Sequence, residues 1–65
     1  MKLTVNGQPV DVGVETLDQL LSELEYEGPW LATAVNMNVV HAAERSGWAL
    51  HDGDRVEILS PMQGG

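Results

Sequence analysis

Four leucines set the terms for this chain. Leu17, Leu20, Leu21 and Leu24 recur at i, i+3, i+4 and i+7, the spacing that lines up side chains on one stripe of an amphipathic helix. The chain has 65 residues, and a domain of that size buries only about 60% of the surface its unfolded form exposes. It has no cysteine, so no disulfide can substitute for a core. The stripe must therefore cover whatever apolar face the rest of the chain presents. Thr16 is placed to cap the helix, and Gln19 three residues later completes a capping box. Asp18, Ser22, Glu23 and Glu25 take the solvent side, although Glu25 and Glu27 suit the negative end of the helix dipole badly. Gly28 is the candidate for the residue just past the C-terminus, and Pro29 prevents continuation.

The segments on either side of the helix read as strands. Met1–Val5 and Gln8–Val12 alternate apolar and polar residues around Asn6-Gly7, which predicts a β-hairpin with a type I′ turn. Pro9 has no N–H to give a ladder, so the second strand should lie at a free edge. Gly13-Val14-Glu15 is a short connector. After the helix, Trp30–Val35 reads as an interior strand, Asn36-Met37-Asn38 as a turn and Val39-Val40 as a short fourth strand. Ala42–Arg45 favour helix, but Ser46-Gly47 ends it early, so His41–Trp48 is expected to be a short helical or irregular excursion. His51-Asp52-Gly53-Asp54 is a tight turn. Arg55–Leu59 closes the body as a strand with Val56 and Ile58 buried and Arg55 and Glu57 outside. A helix between the hairpin and a later strand provides a crossover, which lets the first and last strands pair in parallel. The expected class is α+β, a ubiquitin-like β-grasp with a mixed sheet of four to five strands wrapped on one main helix. Residues 1–60 are expected to form the domain and residues 61–65 a flexible tail.

Composition removes several function classes. The formal charge is −7, with ten acidic residues against Lys2, Arg45 and Arg55. Three scattered cations cannot neutralise a phosphate backbone or hold an anionic membrane surface. A protein partner with basic groups suits that charge, as does a merely solvated acidic surface. The lack of cysteine excludes thiolate metal sites, iron–sulfur clusters and cysteine nucleophiles. No run is long and apolar enough to be a signal or a span, so a cytoplasmic location is expected. His41 and Glu44 supply two ligands at i, i+3, short of a closed metal site. His51, Asp52, Asp54 and Ser60 hold the residue types of a hydrolytic triad without an oriented nucleophile and base. Asp52 and Asp54 lack the further ligands of a calcium loop. No residue is assigned a catalytic or metal-binding role.

The last stretch, Ser60-Pro61-Met62-Gln63-Gly64-Gly65, carries the functional expectation. Pro61 stops the strand before it. Two glycines make an end slim enough for a channel that admits no Cβ. Five residues from Pro61 reach about 17 Å when extended. Ala34-Val35-Asn36 before a turn and Val39-Val40, Asp52-Gly53-Asp54 before the last strand, and the terminal Gly64-Gly65 together resemble the ThiS family, the sulfur carriers of thiamin thiazole biosynthesis. The resemblance covers essentially the whole chain. It implies that the Gly65 carboxylate is adenylated by an E1-like adenylyltransferase of the ThiF type, using ATP, and becomes a thiocarboxylate. A sulfur donor enzyme supplies the sulfur, and a thiazole synthase of the ThiG type accepts it. Gly64 gives slimness, and the carrier itself binds no cofactor and catalyses nothing. Leu59, Met62 and Gln63, with Trp48 or Trp30, are the expected docking surface beside the tail root. Molybdopterin or cysteine synthesis, or ubiquitin-like modification of proteins, are the alternative uses of the same fold and tail.

Overall fold

The computed structural model describes residues 1–27 and 30–60. Its elements run β1 (Lys2–Val5), β2 (Gln8–Asp11), α1 (Leu17–Glu23), β3 (Ala32–Val35), β4 (Asn38–Val40), a 3₁₀ helix (Ala42–Gly47) and β5 (Arg55–Leu59). The five strands form one sheet in the order β2-β1-β5-β3-β4. β1 and β5 pair in parallel, with Thr4 opposite Arg55 and Val5 opposite Val56. The two hairpins and the β3–β5 pair are antiparallel. This is the expected mixed sheet, with Pro9 on the edge strand β2.

The leucine stripe is the centre of the core. Leu17 and Leu20 are completely buried and Leu21 nearly so, while Leu24 packs against them half-buried. They meet the inward residues of the sheet: Leu3 and Val5 of β1, Val35 of β3, Val40 of β4, and Val56 and Ile58 of β5. Alternation along each strand selects these residues, because successive side chains point to opposite faces. The outward set on the far face is Lys2 and Thr4, Ala32 and Ala34, Val39, and Arg55, Glu57 and Leu59.

Both ends of α1 depart from expectation. Thr16 has the extended backbone of an N-cap but makes no side-chain cap bond. Its hydroxyl bonds the Asp18 carboxylate instead, and Gln19 accepts the Glu15 N–H at 2.8 Å. The capping box thus slips by one residue, because a nearer carboxylate takes the threonine hydroxyl. At the other end the helix stops at Leu24, earlier than Gly28 would allow. Tyr26 N–H reaches back to the Leu21 carbonyl at 2.8 Å and Glu25 N–H to Ser22 at 3.1 Å. Those two bonds define a Schellman motif. Its left-handed position falls on Glu25, with φ 64°. The predicted C′ residue Gly28, with Pro29, lies outside the described residues.

The 41–48 excursion resolves into the 3₁₀ helix, and it buries a cation. Arg45 is only 8% exposed. Its Nε donates to Thr33 Oγ1 at 3.0 Å and its Nη2 to the Leu31 carbonyl at 2.6 Å. Thr33 passes the connection on, donating to the Val40 carbonyl at 2.7 Å. One charged side chain thereby ties the excursion to β3 and β4, and among the described residues no buried side-chain polar atom is left without a partner. The following segment crosses the start of α1, where Leu17 N–H bonds the Trp48 carbonyl at 3.0 Å and Leu50 N–H that of Glu15 at 2.9 Å.

Two stability changes of opposite sign are expected. Glu25→Gly relieves the left-handed strain and removes a carboxylate from the helix C-terminus, so it should stabilise by about 0.5–1 kcal/mol in urea unfolding. Arg45→Ala leaves the Leu31 carbonyl and Thr33 hydroxyl short of donors inside the fold and should cost about 2 kcal/mol.

Candidate functional site

The candidate site is the end of β5, from which the last residues depart. β5 is held along both sides and gripped at both ends by asparagine side chains. Asn6 and Asn36 each open a hairpin turn in the left-handed region, at φ 49° and 50°, a conformation asparagine tolerates better than most residues. At the start of β5, the Asn36 N–H donates to the Arg55 carbonyl at 2.8 Å. Its side-chain Oδ1 accepts the Arg55 N–H at 2.9 Å, and Nδ2 donates to Asp54 Oδ1 at 2.9 Å. At the far end, Asn6 N–H donates to the Val56 carbonyl at 2.9 Å. Its carboxamide then accepts the Ile58 N–H at 2.7 Å and donates to the Ile58 carbonyl at 3.1 Å.

Beyond Ile58 the strand presents Leu59 on the outer face, 71% exposed and opposite Ala32. Ala32, Ala34, Val39, Glu57 and Leu59 line a shallow, almost wholly apolar groove of about 180 Å³ across β5, β3 and β4. Val39 is 68% exposed. The register explains the groove. Ala34 lies between Val39 and Glu57 in one row, and its small side chain leaves a trough between taller neighbours. Glu57 is the one charge in it. Lys2 and Arg55 stand further along the same face, whereas Arg45, the third cation, is buried. The carboxylates of Asp18, Glu23, Glu25, Glu27 and Glu44 on the helical side therefore face solvent without an exposed Lys or Arg among them.

Leu59 lies on the exposed face next to the chain's last stretch. Trp30 is 69% exposed. Trp48 is half-buried against the core near the start of α1 and is not part of an exposed patch. Alternation alone could not separate the two tryptophans, because both flank loops. Pro61, Met62, Gln63, Gly64 and Gly65 lie outside the described residues. Val39 and the two alanines were not singled out. Reading β4 against β3 as a hairpin would have placed Val39 outward opposite Ala34.

The polar clusters are taken up by the backbone. Glu44 accepts the His41 N–H at 3.0 Å, closing the start of the 3₁₀ helix. Asp54 accepts the His51 N–H at 2.8 Å and Asp52 the Lys2 N–H at 2.6 Å. Gly53, at φ 89°, donates to the Lys2 carbonyl at 2.8 Å. These bonds close the turn that launches β5 and dock it on β1. Among the described residues there is no group of three or more histidine or acidic side chains placed to hold a metal, and no helix is long and apolar enough to cross a membrane.

Comparison with known proteins agrees with this geometry over the whole length. The ThiS family model matches residues 3–65. The sulfur carrier protein ThiS of Thermus thermophilus is 34% identical over 61 residues, covering 94% of this chain and 95% of that one. The crystal structure of a thiamine biosynthesis protein (ThiS) from Geobacter metallireducens superposes with a TM-score of 0.82 at 36% identity and full coverage of both chains. The solution structure of the thiamine biosynthesis protein from the same organism gives 0.81, covering all of this chain and 88% of that one. With its mixed sheet, its single covering helix and a match that runs through the final glycines, the chain belongs to the ThiS family.

Proposed function

We propose that this protein is a sulfur carrier for the thiazole branch of thiamin synthesis. The observation that carries the reading is a family match continuous from residue 3 to Gly65, with relatives named for that carrier and that pathway. Residues 1–60 are the recognised body and residues 61–65 the tail. A carboxylate is a poor acyl donor, since its leaving group would be oxide. An E1-like adenylyltransferase overcomes this with ATP: a Gly65 carboxylate oxygen attacks the α-phosphorus, pyrophosphate leaves, and an acyl adenylate forms. Sulfur delivered by a donor enzyme at the sulfide level, as HS⁻, then attacks the carbonyl carbon, AMP leaves with the electrons of the C–O bond, the S–H proton is lost, and a thiocarboxylate remains. A thiazole synthase of the ThiG type takes the sulfur and returns the carboxylate. In this scheme the protein is a substrate with a recognisable surface, holds no cofactor of its own and works in the cytoplasm.

Docking follows from the outer face. The groove beside Leu59 gives each partner an apolar contact close to the end of β5, and Met62 and Gln63, which follow in sequence, are the further contacts of this reading. Exposed apolar surface of this kind is the ordinary mark of a contact site. The surplus of carboxylates on the helical side steers the carrier toward partners with basic surfaces and speeds encounter at low salt.

Incubation with ATP, magnesium, the activating enzyme and a sulfur donor should change the intact mass by one oxygen-for-sulfur exchange, localised to Gly65 by fragmentation. An unchanged mass with an enzyme shown to be active on its own carrier would count against the proposal. Leu59→Ala should leave thermal stability within about 0.5 kcal/mol of wild type, because the side chain is mostly exposed. The same variant should weaken binding to the activating enzyme about tenfold, as loss of a central apolar anchor does; titration calorimetry reads both partners directly.

A further inference from the structure

We infer that Asn6 is a positioning residue that sets where the tail leaves the sheet, and through that the presentation of the acyl end to the activating enzyme. The inference rests on the sulfur-carrier reading above. β1 cannot accompany β5 to its end, because the chain turns back at Asn6-Gly7 into β2. The last main-chain bond from that side is Asn6 N–H to the Val56 carbonyl. Two residues further on, the Asn6 carboxamide takes over. It accepts the Ile58 N–H at 2.7 Å and donates to the Ile58 carbonyl at 3.1 Å. A carboxamide carries the same donor and acceptor pair as a peptide unit, so one side chain stands in for the missing strand residue.

The same nitrogen lies 3.5 Å from the Tyr26 hydroxyl. Tyr26 is fixed by the Schellman motif that ends α1. Helix end, hairpin turn and the end of β5 thus converge on one amide, two residues before Ser60. Neither neighbouring chemistry can replace it. A carboxylate at this position has no proton to donate and would set an oxygen against the Ile58 carbonyl. A methyl group bonds neither partner. With the clamp in place, Ile58 is bonded on the β1 side and Leu59 is paired with Ala32 on the β3 side, so both sides of the strand end are held. Without it, the β1 side of β5 has no partner beyond Val56 and the strand end is held from the β3 side alone, through Leu59, so its direction is less firmly set and a smaller fraction of bound carriers has the carboxylate in line with ATP. The docking groove, formed by β3, β4 and the outer side of β5, is untouched.

The test compares wild type, Asn6→Asp and Asn6→Ala with Val10→Ala, a half-buried β2 substitution that lowers stability away from the tail root. Pyrophosphate release by the activating enzyme is measured against carrier concentration, at a temperature where circular dichroism shows all variants folded. For the Asn6 variants, kcat should fall about tenfold while KM for the carrier stays within about twofold, the signature of lost orientation rather than lost binding. Val10→Ala should keep the wild-type kcat. Equal kcat in all four proteins, or an equal fall in Val10→Ala, overturns the inference. In the free protein, the Ile58 amide should exchange with deuterium at least about tenfold faster in Asn6→Ala, relative to the amides of β3. A proportionate rise at all these amides overturns it as well. If Asn6→Asp does not fold, Asn6→Ala and the exchange measurement decide. Inert wild type with an enzyme active on its own carrier would instead sink the sulfur-carrier reading.

Discussion

Everything in this small fold depends on β5 being held from both sides in the middle of the sheet. Among the described residues it is the one strand whose two neighbours come from different hairpins, β1 in parallel and β3 antiparallel. Without it the chain would be two separate hairpins, and an isolated hairpin is marginal in water. The crossover through α1 makes the parallel pairing possible, and the leucine stripe makes it worthwhile by filling the space over Val56 and Ile58. The strand that unites the body is also the strand from which the tail departs.

Side-chain hydrogen bonds gather at both ends of this strand. Parallel pairing with β1 covers Arg55 and Val56 while β3 pairs from Val56 to Leu59, so the far end of β5 has a strand partner on one side and a side chain on the other. Asn36 secures the beginning and Asn6 the end, each from a turn position with positive φ. In that conformation the main chain turns away while a short side chain reaches across to the neighbouring strand. The Asp52 and Asp54 carboxylates do similar work in the turn before β5. A hydrogen bond adds only about 1 kcal/mol on its own, but a group of them on one strand end determines direction, which a carrier needs.

The two faces of the molecule differ in charge. The outer sheet face is apolar near the tail and nearly balanced in charge beyond, with Lys2 and Arg55 against Asp11 and Glu57. The helical face holds most of the remaining carboxylates, and burial of Arg45 leaves them uncompensated. Burying one of only three cations looks wasteful until its partners are counted. Arg45 supplies donors to the Leu31 carbonyl and the Thr33 hydroxyl, and so anchors the long return from β4 to β5.

The sequence alone determined what depends on short-range period and on local backbone chemistry. Four leucines at helical spacing, alternating runs around Asn6-Gly7, the Asp-Gly turn and the Val56/Ile58 alternation are complete within a few residues, and the structure realises each of them; the strand read from Trp30 begins only at Ala32, and Asn38, read as part of a turn, opens β4. The element order then leaves few topologies open, since crossovers are right-handed and short connections join neighbours. The diglycine end and the family likeness were equally legible, being statements about residues in a row. Tertiary structure decided what needs a partner far away in the chain. Glu25 occupies the left-handed site because Leu24 and Tyr26 turn back onto the core there, although Gly28 suits that backbone better. Arg45 is buried because Leu31 and Thr33 lie beneath it, and Trp48 and Trp30 differ because only one crosses the start of α1. Asn6 meets Ile58 across 52 positions, a distance over which no local period carries information.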